Sequence, residues 1–434
     1  MNLTQEDLDN IINGKVNHFD EYYRRAFKIE GNGEIGVFNA ILNGKVNLNG
    51  LKGKSIHFEN AKIQHLVIDD FCDRVSFNGS TIDNLEVKSE IGIVEINQNS
   101  NCTKLFVKES NIVDFYIKSS KFNSVIFENS KCDFTIENSV FVTFDLKNCN
   151  LDRLLLQIPT EARRIQLQDN SIFKLTIEGF LNEKSRLSIE QLRDVELFRV
   201  NNLTNKGELY FNFLDSKFRF KSKLLLLDSD LGNAQFRNCD FQKFSYAEIS
   251  ETTLAKVDTF NTQFPVKNVD GHYFSLYETY VDLYTISLKN NNKKNAAEYY
   301  KAAKIFLLKA YRESLPKDLG TWLSLEPSYH FSRFGTQWLR SLLVTVSLCL
   351  LIFIVMLITT NFEFSFDITG INQAISNISN FVKFLDPIHR VDFMDNDFKY
   401  SESNAFVILN YLGKIILAFG IFELIRSFRK LNRA

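Results

Sequence analysis

The chain has 434 residues and a formal net charge of −1 at pH 7. That length accommodates two or three domains, and the balanced charge excludes bulk attraction to nucleic acid or anionic lipid. The six cysteines are scattered, so they read as small hydrophobes, with no disulfide framework or zinc spacing.

Met1 to Gly14 is polar and acidic and lacks the apolar core of a signal peptide, so the N-terminal domain is expected to stay in the cytosol. Leu3 to Ile12 has the spacing of a short helix, with Thr4 as N-cap and Asp7 three residues on. Phe27 to Asn49 places Gly31, Gly33, Gly36 and Gly44 between short apolar runs, which predicts hairpin-like structure. Residues 1–50 are therefore assigned to capping an element that follows.

That element announces itself by a period of five. Cys102, Val107, Ile112, Ile117, Phe122, Phe127 and Cys132 form one register. Ser100, Leu105, Ser110, Phe115, Ser120, Val125 and Ser130 form a second, two residues earlier, in which small and large residues alternate. Neither a helix (3.6) nor a strand (2) returns to one face every five residues. A chain that turns a corner every five residues does, and four sides close a coil of about 20 residues. The registers recur with single-residue slips from Ile56/Phe58 to Leu154/Leu156, at Ile165/Leu167 to Leu175/Ile177, and again from Leu224/Leu226 to Ile249. Much of the phenylalanine, 41 residues in all, falls on this repeat. Cys102, Cys132, Cys149 and Cys239 take inward positions.

Over residues 51–262 this pattern resembles the pentapeptide-repeat proteins. The resemblance implies a right-handed quadrilateral parallel β-helix whose central Leu or Phe, and the small residue two places earlier, point inward. Here every second small position holds Leu, Val or Phe. The predicted fold class is mainly β, with this solenoid followed by a helical connector and an α-helical membrane hairpin.

Residues 178–223 break the repeat's regularity and gather basic and aromatic side chains: Arg199, Lys206, Lys217, Phe218, Arg219, Phe220, Lys221 and Lys223. Interleaving of this kind suits a single-stranded nucleic acid or a nucleotide phosphate. Simple strand alternation, with Phe inward and Lys or Arg outward, produces the same pattern.

After Pro265 the spacing becomes helical over Phe274–Leu288 and Ala296–Ser314, with a stop at Pro316. Leu319 to Phe334 carries Trp322, Tyr329, Phe331 and Arg333 and has the look of an interfacial segment. Residues 263–334 are thus read as a connector and 335–434 as a two-span domain. Ser341 to Thr360 contains no charge over 20 residues, the length that crosses a bilayer. The second span runs from Ala405 to Ile425 and is followed by Arg426, Arg429, Lys430 and Arg433. The positive-inside rule then puts both termini in the cytoplasm and the 361–403 loop outside.

The second span carries Lys414 at its centre, Asn410 one turn earlier on the same face, and Gly413 and Gly420 seven apart. A lysine there either lines a pore or pairs internally. Two spans cannot enclose water, so a pore requires an oligomer. Ile371 to Phe384 is either a pore helix, a re-entrant segment or part of a solvated loop. The acids Asp386, Asp392, Asp395, Asp397 and Glu402 after it would favour cations at a mouth, and Lys414 opposes that.

The histidines His18, His57, His65, His272, His330 and His389 are isolated in sequence, and no phosphate loop, zinc spacing or nucleophile elbow occurs. Neither an enzyme nor a cofactor is expected. The whole layout resembles bacterial membrane proteins that join a pentapeptide-repeat-like domain to a two-helix, ion-channel-like unit, as in anti-phage membrane effectors of the Hailong type. The resemblance implies an inner-membrane homo-oligomer, a tetramer by preference, passing ions under control of a nucleotide or single-stranded DNA oligomer. The alternative is a membrane-anchored scaffold that docks protein partners. A DNA mimic acting on a topoisomerase fits poorly with the two spans and the near-zero charge.

Overall fold

Each coil is set by a residue forced into the left-handed backbone region. Glu109, Ser119, Asn129, Asn138 and Asn148 have φ of 51, 49, 48, 49 and 52°, about ten residues apart. Asparagine recurs at such corners because its short polar side chain tolerates positive φ. The next residue turns inward against the bend, and in these coils it is small: Ser110, Ser120, Ser130, Ser139 and Cys149 are all buried. Their polar atoms are used. Ser110 Oγ donates to the carbonyls of Lys108 (2.9 Å) and Val87 (3.0 Å), and Ser120 Oγ to those of Lys118 (2.9 Å) and Ile96 (3.1 Å). Alternate corners are gentler, and a single strand runs through each, as in Asn101–Lys108 and Asn111–Lys118. Those corners have room for Leu105, Phe115, Val125, Phe134 and Phe144, all buried. The ten-residue superperiod is this alternation of sharp and gentle corners.

A computed structural model describes residues 2–15, 27–29, 34–313, 319–359, 368–394 and 403–433. Gly31, Gly33, Pro316, Asp395, Asp397, Glu402 and the side chains of Lys430 and Arg433 lie outside what it describes. The chain divides into two compact units, 1–290 and 291–434.

The first unit is a parallel β-solenoid over residues 34–270, of about 11 turns. Because strands continue through the gentle corners, the sides group into a 12-stranded and a 13-stranded sheet. Leu85, Leu105 and Val125 are direct neighbours in one ladder, 20 residues apart at each step. Across 178–223, where the sequence repeat is lost, the ladder persists and the coil lengthens. Phe198 pairs with Leu224, 26 residues on. The expected interruption is one of sequence period, absorbed by longer corners.

Phenylalanines fill the interior. Phe58 stacks on Phe77 (centroids 5.2 Å) and Phe211 on Phe236 (4.8 Å), while Phe115, Phe127, Phe134 and Phe144 form a chain of tilted and edge contacts. Such pairs add to the burial of large apolar area. The cysteines are all free and buried, and burial pushes the Cys102 thiol up to about 12, so they act as small hydrophobes.

Both ends are covered, as exposed sheet edges require. At the start, α1 (Gln5–Ile12) has a capping box between Thr4 and Asp7. Its Gln5 amide pairs with the Asn47 backbone like an extra strand, at 2.7 and 2.6 Å. Phe27–Ile29 forms the expected hairpin with Glu34–Phe38. At the other end α2 (Tyr273–Lys289) packs on the last coil, with Tyr280 fully buried and its hydroxyl donating to the Pro265 carbonyl.

The second unit is helical: α3 (Lys293–Glu313), α4 (Leu319–Ser332), α5 (Trp338–Thr359), α6 (Ile368–Phe384) and α7 (Asn404–Arg433). Helices α5 and α7 are each long and apolar enough to cross a membrane. They pack side by side through Gly420, whose Cβ position is occupied by the Thr345 side chain.

Candidate functional site

The site of most chemical interest lies where polar groups enter the α5–α7 pair. Helix α6 and the turn after it fold back against these helices. Phe381 and Phe384 of α6 meet Phe353 of α5 at 5.5 and 5.8 Å. The Phe384 ring also fills the space beside Gly413 of α7, so Gly413 has no room for a side chain. Gly413 lies nine residues into α7, about 14 Å along its axis. The non-helical stretch from Leu385 to Met394 continues at this level, and Leu385, Val391, Phe393 and Met394 join the cluster of Cys349, Met356, Phe406 and Leu417. The stretch Ile371–Phe384, read above as a pore helix, a re-entrant segment or a loop, is helical within α6, and the non-helical residues follow it.

Two residues expected at a gate hold that segment. Asn410 is fully buried, and its Oδ1 lies 2.7 Å from His389 Nε2. Lys414 donates from Nζ to the His389 backbone carbonyl at 2.6 Å. His389 Nδ1 faces the Asp386 carbonyl at 2.5 Å, and its ring is flanked by Phe384 and Phe393. Lys414 thus bonds within its own chain. His389, isolated in sequence, is the hub of this cluster. The surface knuckle is Asp386, Pro387 and Ile388, with Ile388 85% exposed. On the opposite face of α7, Ile408, Leu412, Ile415, Phe422 and Ile425 are exposed, with Tyr411 among them.

A second polar cluster joins the far end of α7 to α3 and α4. Glu423, 1% exposed, accepts from Ser332 Oγ and from Arg426 Nη1 (3.0 Å). Arg426 also donates to Ser328 Oγ and to the Tyr300 hydroxyl, each at 3.1 Å. Phe331 of α4 meets Phe419 edge-on at 5.0 Å. The predicted interfacial segment therefore docks its last turn on α7, while Leu319 and Leu323 at its other end stay exposed. On α3, burial first and the charge of Arg426 second lower the pKa of Lys304. Glu423 was legible as a carboxylate in an apolar run three residues before an arginine; its partners on α3 and α4 were not.

The basic patch of the solenoid is only partly assembled. Phe218 pairs with Val195, but the next matched residues are Lys223 and Leu197, so Arg219 to Ser222 bulge out opposite Glu196. Strict alternation fails there. Phe218 packs on Phe244 (4.4 Å), whereas Phe220 stands 93% exposed on the bulge between Arg219 and Lys221. Arg219 lies over the Phe173 ring (4.4 Å), beside Lys174, and Lys223 over Tyr246 (6.0 Å). Arg199 sits one strand away opposite Leu225, with its Nε buried and unpartnered. Lys206 lies over Phe180 at the strand's far end, and Lys217 is exposed just before the bulge. Phe173, Lys174 and Tyr246 belong to the patch and come from neighbouring coils that linear spacing does not align.

Elsewhere on the rod arginines pair with carboxylates one coil away: Arg74–Glu95 (2.5 Å), Arg164–Asp145 (2.9 Å) and Arg237–Asp258 (2.8 Å). Among the described residues no carboxylate lies within 4.0 Å of the charged groups of Lys174, Arg199, Arg219, Lys221 or Lys223. Here several basic side chains without a carboxylate partner lie beside the exposed Phe220 ring.

Among the described residues no group of three or more His, Cys, Asp or Glu is placed to hold a metal ion. Comparison with family models, with characterised proteins and with solved structures found no match for the chain.

Proposed function

We propose that this chain is the subunit of an oligomeric membrane channel whose solenoid senses an anionic ligand. The observation that carries the reading is the packing of non-helical residues 385–394 against the two candidate membrane helices. Non-helical backbone is tolerated at membrane depth only where it is buried in protein or lines a water-filled cavity. Residues 385–394 pack against the second half of α5 and the first half of α7, with Asp386 to Ile388 and Arg390 exposed, a depth inside the bilayer if both helices span it. A ring of such knuckles from several copies, four by preference, would line a pore that two helices alone cannot enclose. In this reading Asn410 and Lys414 brace the pore segment from behind, and Gly413 and Gly420 let the helices and Phe384 approach.

The basic bulge around Phe220 is the proposed ligand site, suited to a nucleotide or a single-stranded DNA oligomer by its uncompensated charge and free aromatic face. The proposed setting is the bacterial inner membrane with both termini cytoplasmic, where opening would dissipate the membrane potential in anti-phage defence. The mode of action is non-enzymatic.

The test is ion flux from liposomes holding the purified full chain, with its mass measured in detergent and with nucleotides and DNA oligomers added and removed. Flux from an oligomer supports the channel. A monomer silent under all those conditions overturns it. One observation favours a second reading, a membrane-anchored docking rod: Lys414, Glu423 and Arg426 of α7 each find a partner inside a single chain, and most side chains exposed on its outer face are apolar.

A further inference from the structure

We propose that Lys414, Asn410 and His389 form a binding site for a small monovalent anion, a halide such as chloride, within the α5–α7 pair. The site would give the channel an anion preference; that second half rests on the channel reading, whereas the binding itself does not.

The argument starts from an unbalanced charge. Lys414 is partly buried, and the nearest acid on its own helix, Glu423, lies nine residues on beside Arg426. Among the described residues no carboxylate comes within 4.0 Å of its ammonium. Its protein contacts are the His389 carbonyl at 2.6 Å and the Tyr411 ring, whose centroid is 5.8 Å away. An ammonium in such surroundings is costly without a counter-charge. The cluster at the other end of α7 shows the usual solution, since Arg426 has Glu423 beside it at 3.0 Å. At Lys414 the protein supplies none.

The neighbours supply further donors. Asn410, one turn before Lys414 on the same face, is fully buried, and its Nδ2 has no hydrogen-bond partner. An orphan donor at such a position is expensive unless something accepts from it. Both ring nitrogens of His389 face oxygen atoms, Asp386 O and Asn410 Oδ1. Three nitrogen-bearing side chains converge, one cationic and one with a free N–H. What would complete the set is a compact anion. A divalent oxyanion would bring more charge than one ammonium offsets and more bulk than a corner walled by Phe384 and Phe393 suits.

The described loop residues near the site carry Lys383 and Arg390 against Asp386 and Asp392, so they give an approaching anion no net repulsion. A fixed positive charge just behind a pore wall favours anions by the same electrostatics as a charged ring that lines it.

The experiment is thermal unfolding of the full chain in detergent at constant ionic strength, in sodium chloride, bromide or gluconate. Halide should raise the midpoint saturably, by on the order of 2–4 °C, in the wild type and in Lys414→Arg. Lys414→Met should lose the effect. Asn410→Asp should lose it too while staying folded, because the new carboxylate replaces the ion. Equal midpoints in gluconate and chloride for the wild type overturn the site, as does an undiminished halide effect in Asn410→Asp. Reversal potentials in a potassium chloride gradient test the second half. A shift toward the chloride potential supports it and a shift toward the potassium potential overturns it. Halide stabilisation without any current would keep the site and count against the channel.

Discussion

The Lys414 ammonium reaches back 25 residues to donate to the backbone carbonyl of His389 at 2.6 Å. This one bond ties α7 to the non-helical segment that follows α6. Replacing Lys414 with Met leaves that carbonyl without its partner, at about 1–3 kcal/mol. Hydrogen exchange across residues 385–394 should then rise while exchange in the solenoid stays unchanged. Unaltered protection of 385–394 would show that the apolar packing of Phe384 and Met394 suffices.

The two glycines of α7 make a steric prediction. A Cβ at Gly413 collides with the Phe384 ring, and one at Gly420 with the Thr345 side chain. Gly413→Ala and Gly420→Ala should each destabilise the helical unit by about 1–3 kcal/mol through overpacking. Phe384→Leu should relieve the first and Thr345→Ser the second. Thermal unfolding of single and double variants in detergent measures both couplings.

Inside the rod, Phe134 touches Phe115, Phe127 and Phe144 at 5.5, 4.9 and 5.6 Å. Phe134→Ala should cost about 3–5 kcal/mol. Ser120→Leu places a large side chain at a sharp corner and should also be damaging, whereas Ser120→Ala loses only its hydroxyl's hydrogen bonds, about 1 kcal/mol. Chemical denaturation followed by the solenoid's circular dichroism would rank them. A harmless Ser120→Leu would contradict the account of the superperiod.

The bulge separates binding from folding. Phe220→Ser and Lys221→Glu alter side chains exposed on the surface, so stability should move by less than about 0.5 kcal/mol. Affinity for a fluorescent single-stranded oligonucleotide should fall by about tenfold for Phe220→Ser, the scale of one lost stacking contact. Binding should also weaken with salt. Oligonucleotide binding that both variants retain in full would move the ligand site elsewhere.

One acid-sensitive contact joins α3 and α4. Arg312 Nε donates to Glu326 at 3.0 Å, with His330 Nε2 3.1 Å from the same carboxylate. The hydrogen bond from Arg312 is the main cause that holds the Glu326 carboxyl below its ordinary 4.5. A carboxyl lowered on folding contributes stability above its unfolded value and loses it as pH falls through the folded one. Stability should therefore decline below 4.5 by a modest ~0.2–1 kcal/mol, since the pair is partly solvated. Glu326→Gln should lack that increment, which a pH series of melting curves would reveal.

Much of this protein could be read along the chain. A period of five with alternating small and large residues dictates coils that turn at alternating sharp and gentle corners, because inward volume at a left-handed bend is limited. Thr4 with Asp7 specifies a helix start, and sustained apolar length, charge-free in the first, specifies two long apolar helices. These are local or strictly periodic signals, and they survive without knowledge of what lies across the fold.

Tertiary structure decided the rest. His389 looked isolated because its partners, Asn410 and Lys414, lie 21 and 25 residues away on another element. Glu423 meets Ser332 and Arg426 meets Tyr300 across 91 and 126 residues. The patch around Phe220 depends on a bulge that breaks alternation and on Phe173 from an earlier coil. Side chains that converge from different elements obey no fixed spacing, so only packing of the whole chain determines which polar groups meet.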